Sequence, residues 1–212
     1  MKTDDLIRAM AADTDSRSMP MDTAWRLAGV LAFILAGAVF LVTLGPRPDA
    51  LASLETARFV FKFVVTLALV ASAFALVRAL ARPGGGAGPL LAWLAVPPLL
   101  LVGAVALELF AVPASEWMTR LVGVNSQVCL TFIPLIGAAP LAVFLLALRH
   151  GAPTRPRLSG AVAGLVAGGL AAAFYAAHCP DDSPLFVATW YSLAIAGLAA
   201  VGALAAPLVA RW

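Results

Sequence analysis

Residues 158–209 read "LSGAVAGLVAGGLAAAFYAAHCPDDSPLFVATWYSLAIAGLAAVGALAAPLV". Two apolar runs flank the short turn "HCPDDSP". A helix that crosses a bilayer takes about 20 mostly apolar residues, and both runs reach that length. Backbone amides in lipid find no water and must pair internally, so a crossing segment is a helix or part of a closed barrel. Barrel strands span in about ten residues, far fewer than either run supplies. The stretch is therefore a helical hairpin in a membrane, with His178, Cys179, Asp181 and Asp182 gathered at its tip.

The same texture recurs along the chain. Six stretches are long and apolar enough to cross: Ala24–Leu44, Phe59–Leu80, Leu90–Val112, Val128–Leu148, Leu158–Ala177 and Leu185–Val209. Between them lie "GPRPDALASLETAR", "ARPGGGAGP", "PASEWMTRLVGVNSQ", "RHGAPTRPR" and the tip already quoted, all read as short loops. Hydrophobic residues make up 62% of the chain and charged ones 12%, with a mean hydropathy of +0.97. That balance excludes a soluble domain, where about a quarter of residues are charged. The expected fold is an all-α integral membrane protein, a bundle of six transmembrane helices. Residues 1–23 read as a cytoplasmic N-terminal segment and 24–212 as the membrane domain.

The net charge of +3 does not point to nucleic acid, because the basic residues flank apolar runs and form no stripe with interleaved aromatics. They orient the chain instead. Lys2, Arg8, Arg17, Arg26, Arg78, Arg82, Arg149, Arg155, Arg157 and Arg211 fall on the side of the N-terminus; Arg47, Arg58, Lys62 and Arg120 fall on the other. The richer side is the cytoplasmic one. Both termini are then cytoplasmic, and "HCPDDSP" faces outward. The opening segment holds more aspartates, Asp4, Asp5, Asp13, Asp15 and Asp22, than basic residues, which is unlike a signal peptide, so cleavage is not expected.

Gly160, Gly164 and Gly168 recur at a spacing of four and clear one helix face for close approach by a neighbour. Packing inside the bundle is the simpler use of that face, a homodimer the other; oligomeric state is not set by the pattern. Pro97, Pro98, Pro134 and Pro140 lie within apolar runs and are expected to kink them.

Only two cysteines occur, and the topology puts Cys129 and Cys179 at the same depth on the oxidising side. Two readings stay open: a redox- or metal-responsive thiol pair, or two unrelated small residues buried as weak hydrophobes. In the first reading, a neighbouring positive charge lowers a thiol pKa. Cys129, Cys179 and His178 also make a soft-metal or zinc-type donor set, with Asp181 and Asp182 close by, although no C-x-x-C or H-x-x-x-H spacing supports a constitutive site. The plain alternative is a solvated turn shaped by Pro180 and Pro184. No catalytic residues and no resident cofactor are expected, only a transient metal ion.

Lys62 and Glu108 fall near the outer leaflet, where a salt bridge or snorkelling would satisfy them. No deep acid marks a proton-coupled transporter, and two cysteines make at most one pair where a thiol-oxidising enzyme would ordinarily use two. A small-solute or metal transporter and a membrane thiol-redox enzyme remain the alternatives to a regulator. In "TDDLIRAMAADTD", Thr3 suits an N-cap, Asp4 and Asp5 suit the positive end of a helix, and Leu6, Ile7 and Met10 make a narrow apolar stripe. So short a helix is marginal alone and gains order on a cytoplasmic partner.

Three segments carry a resemblance: the opening "MKTDDLIRAMAAD", "CLTFIPLIGAAPL" in the fourth run, and above all "AAFYAAHCPDDSPLFVATWY". Together they resemble the NrsF family of integral-membrane anti-sigma factors, over essentially the whole chain. The resemblance implies a protein that holds an extracytoplasmic-function sigma factor at the inner membrane and releases it under heavy-metal or oxidant stress. It implies that Cys129 and Cys179 read the signal and that the segment with Asp4, Asp5, Leu6, Ile7 and Met10 contacts the sigma factor. The other partner is the lipid bilayer itself; no direct contact with nucleic acid is implied.

Overall fold

The computed structural model of the protein describes residues 3–5, 19–84 and 87–209. Among these, six long apolar helices form the bundle: Met21–Thr43, Ala57–Leu80, Gly88–Ala111, Ser126–Leu148, Pro156–Ala176 and Pro184–Val209 (spans one to six). No strand occurs among the described residues.

Span five is the axis, buried almost from end to end, because its glycines and alanines let three neighbours approach its backbone. A Cβ added at Gly160 would lie 2.2 Å from the carbonyl oxygen of Gly202 in span six; one at Gly164 would meet the Leu198 carbonyl at 2.4 Å, and one at Gly168 the Ile195 Cα at 3.1 Å. The glycine row thus faces span six of its own chain. On another side, Gly169 lies against Val70 of span two, and Gly137 of span four sits over Leu198 and the Ala171 methyl. Without a hydrophobic drive between helices in lipid, such close packing is what holds a bundle.

Span one lays the face of Trp25, Ala28, Ala32, Ala36 and Phe40 on the bundle. Trp25 stacks on Phe144 of span four, with centroids 6.3 Å apart and planes 14° apart, and meets Phe74 of span two edge-on at 6.0 Å. Just before it, Asp22 accepts hydrogen bonds from Arg78 and Arg82, each at 2.7 Å, joining the start of span one to the end of span two. Span three is the outlier. Of its residues only Pro97 and Glu108 are buried.

The structure adds to the sequence expectations, or departs from them, in several places. The loop read into "PASEWMTRLVGVNSQ" holds a further helix, Ala114–Val122, too short to cross, with Glu116 and Arg120 paired across one turn. Span three breaks at Ala95, so that Pro97 and Pro98 fall in the first turn of the next piece, where a missing N–H costs no helical bond. Pro134 and Pro140, by contrast, lie inside one continuous helix, Ser126–Leu148, rather than at a break. Span six opens with a turn capped by the Ser183 hydroxyl and then a π-helical turn, Val187–Tyr191.

Candidate functional site

The tip between spans five and six is held from four directions. The amides of His178 and Cys179 both donate to the Tyr175 carbonyl, at 2.9 and 3.0 Å, and close the end of span five. His178 Nδ1 lies 3.0 Å from the carbonyl oxygen of Gly45, turned toward the end of span one. Asp181 reaches across to the start of span four, where its carboxylate accepts from the amides of Val124 and Asn125 at 3.1 and 2.9 Å. The positive end of a helix favours an anion there, and Asn125, the N-cap residue, makes no side-chain cap of its own.

Asp182 points the other way, into a cluster of cations. Lys62 has no exposed surface; its Nζ sits 2.5 Å from Asp182 Oδ1 and donates to the Cys179 carbonyl at 2.8 Å. Arg47 Nη1 donates to the same carbonyl at 3.2 Å and to Asp182 Oδ2 at 3.3 Å. Both cations also lie over the Phe59 ring, 4.8 and 5.1 Å from its centroid. A buried ammonium in a membrane helix needs such company.

Glu108 makes the fourth hold. It is buried, accepts from the Ser183 hydroxyl at 2.7 Å and the Leu185 amide at 3.2 Å, and pairs with Arg120 at 3.4 Å and Arg58 at 3.7 Å. Every basic residue of the outer side is therefore ion-paired within the turn's surroundings.

Beneath this lid lie the thiols. Cys129 and Cys179 are both unbridged and both without exposed surface, in the continuous buried core that runs from Trp25 and Phe144 to Tyr175, Phe186 and Tyr191. Cys129 lies in the first turn of span four. Its amide donates to the Asn125 carbonyl at 2.8 Å, so Cys129 is one helical turn from the residue that Asp181 grips, while Cys179 is two residues from Asp181 itself. That one carboxylate ties the backbone around both sulfurs.

The expected lowering of the thiol pKa is reversed at Cys179. Burial pushes this thiol up, and the nearby Lys62 ammonium offsets only part of the effect. The reason is visible in the contacts: Lys62 spends its charge on Asp182 and on a carbonyl. Nor are the donors read from the sequence gathered as ligands. His178 faces Gly45, Asp181 and Asp182 are engaged, and no group of three or more His, Cys, Asp or Glu side chains placed for a metal ion occurs among the described residues. Thr3, Asp4 and Asp5 are helical and exposed, while Leu6, Ile7 and Met10 lie outside the described residues. Sequence reasoning missed Arg47 and the two tyrosines. The signal for Arg47 was a lone arginine in the loop facing the aspartate pair.

The sequence profile of the family described as NrsF, Negative regulator of sigma F, matches residues 10–212. The chain belongs to the NrsF family. It is 34% identical over 218 residues to "Anti-sigma-F factor NrsF" of Caulobacter vibrioides (strain NA1000 / CB15N), with 100% of each chain covered. It is 35% identical over 216 residues to "Probable anti-sigma-F factor NrsF" of Azospira oryzae (strain ATCC BAA-33 / DSM 13638 / PS), again with 100% of each covered. No solved structure matches the chain. NrsF membership and the six spans make it a multi-pass bacterial membrane protein, and a regulator rather than an enzyme.

Proposed function

We propose that this NrsF-family chain sequesters an extracytoplasmic-function sigma factor at the cytoplasmic face of the inner membrane and releases it when stress reaches Cys129 and Cys179. The observation that carries the first half is the end-to-end match to two relatives named as anti-sigma-F factors. The second half is supported by two buried thiols set beside the Asp181 contact, Cys129 one helical turn from Asn125 and Cys179 two residues from Asp181, under a turn fastened by four separate elements.

Oxidation breaks two S–H bonds and forms one S–S bond; a two-electron oxidant such as a peroxide takes the electrons and protons and leaves as water. Bridging needs the two alpha carbons within about 7 Å, and it draws the tip of spans five and six onto the start of span four. Span four carries Cys129 near its outer end and Phe144 near its inner end, where Phe144 stacks on Trp25. Trp25 directly follows the N-terminal segment. A shift of span four thus has a packed route to the proposed sigma contact, Asp4, Asp5, Leu6, Ile7 and Met10. The bound sigma factor and the disulfide then favour different packings of the same bundle, and each opposes the other. Oxidation is favoured over metal capture by Cys129, Cys179 and His178, because a metal would first have to free the His178 ring from Gly45.

The test is copurification of the candidate sigma factor with membranes carrying this chain, with and without peroxide, while the thiol state is measured. Sigma factor should be retained by the reduced protein and lost from the oxidised one, and Cys129→Ser with Cys179→Ser should retain it in both. Release that persists in the double variant sinks thiol sensing; no retention under any condition sinks sequestration. Leu6→Asp should abolish retention with the thiols unchanged.

A further inference from the structure

Two cavities of opposite character meet at Arg58. One, of about 310 Å³, is a mostly apolar groove between spans two and three, lined by Phe61, Ala104, Leu107 and Ala111, with Arg58 and its partner Glu108 at the edge. The other, of about 400 Å³, lies over the outer turn and is lined by Arg58 and Arg120, with Val124, Asp181, Asp182 and Ser183. Leu107 and Phe110 beside the groove are 72% and 91% exposed, so it opens on hydrocarbon.

Arg58 is about half exposed, and its only acid contact among the described residues is a long one, 3.7 Å to Glu108. It makes no hydrogen bond among the described residues, although a guanidinium carries five donors. The carboxylates around the polar cavity are already engaged: Asp181 by two amides, Asp182 by Lys62 and Arg47, Glu108 by Ser183, Leu185 and Arg120. Among these groups Arg58 is the one held by a single long contact.

We propose that an anionic phospholipid of the outer leaflet binds here, one acyl chain in the groove between spans two and three and its phosphodiester on Arg58, with Arg120 alongside. An inorganic anion would use the polar cavity alone and leave the groove without purpose. A zwitterionic headgroup would bring an ammonium to a place where each acid is taken. The site also touches the turn, because the phosphodiester competes for Arg58 with Glu108, which holds Ser183 and the Leu185 amide. Lipid charge thereby biases how firmly the outer turn is fastened.

The full chain, purified in neutral detergent after exchange into phosphatidylglycerol or phosphatidylcholine vesicles, is examined by native mass spectrometry. One phosphatidylglycerol should stay bound per chain and phosphatidylcholine should wash away. Arg58→Gln should weaken retention about tenfold, the scale of one charge-assisted contact, and Arg58→Lys should recover part of it. Ala104→Phe, which fills the groove and leaves Arg58 untouched, should weaken it too. Equal retention of the two lipids, or indifference to Arg58→Gln and Ala104→Phe, overturns the proposal. Displacement of the lipid by inorganic phosphate overturns it as well, and makes the cavity a free-anion site.

Discussion

At the scale of the residue, Lys62 governs the outer turn. Its ammonium is enclosed by Asp182, the Cys179 carbonyl and the Phe59 ring, and removal of one partner of a buried pair leaves the other charge uncompensated. Lys62→Met should therefore destabilise the protein, by about 2 kcal/mol rather than the about 3–5 of a fully buried pair, because Arg47 still pairs with Asp182, measured by denaturation in detergent. Lys62→Met with Asp182→Asn should recover part of the loss. The same variant should speed alkylation of Cys179, since the carbonyl of that residue loses a fastening. Cys179 also sets a pH dependence. Its thiol is raised by burial in the fold, so as pH climbs past the ordinary thiol range the unfolded chain releases the proton first and the fold is disfavoured. Stability should fall on the alkaline side, and Cys179→Ala should flatten that limb in a melting series from pH 7 to about 10, a window bracketing the usual thiol value. Composition and order alone made this polar island visible. The ownership of Lys62 by it was not, because the bond to the Cys179 carbonyl joins residues 117 positions apart and hydrophobic periodicity says nothing of which helices adjoin.

Among the elements, the crossing of spans five and six is the tightest, and it rests on having no side chain where Gly160 and Gly202 meet. Gly160→Ala pushes a methyl into backbone that cannot yield, and should cost about 2 kcal/mol, as overpacking does. Gly103→Ala in span three, with open space around it, should be neutral or slightly stabilising in the same melt. The spacing of four was legible as a packing face; its partner was not, since any helix with a small residue at the right height would read the same. Span three teaches a different lesson. It stands almost alone in lipid and is joined to the outer turn through Glu108, so Glu108→Gln should raise hydrogen exchange at Val96–Ala111 before any other span responds. The helix Ala114–Val122 escaped a reading tuned to lengths of about 20 apolar residues, because it is short and holds Glu116 and Arg120.

For the whole molecule, the question is how two faces of a membrane answer each other. The aromatic stack of Trp25, Phe74 and Phe144 closes one end of the bundle, as the ion pairs close the other, and span four touches both. If span four carries the signal, Trp25→Leu should leave sigma retention intact in the reduced state and blunt its loss on oxidation, scored in the same pulldown; an unaltered response moves the route to another span. The sequence made the count of spans and their order readable, because those follow from lipid thickness. Which ends pair across the bundle required three dimensions. That pairing bears on how the protein is made. Lys62 enters the membrane long before residues 179–182 leave the ribosome, and at about 5–20 residues per second the delay is roughly 6–24 seconds. Through that interval the second span is a provisional guest of the insertion machinery, its charge without a home, and it settles only when the last hairpin arrives.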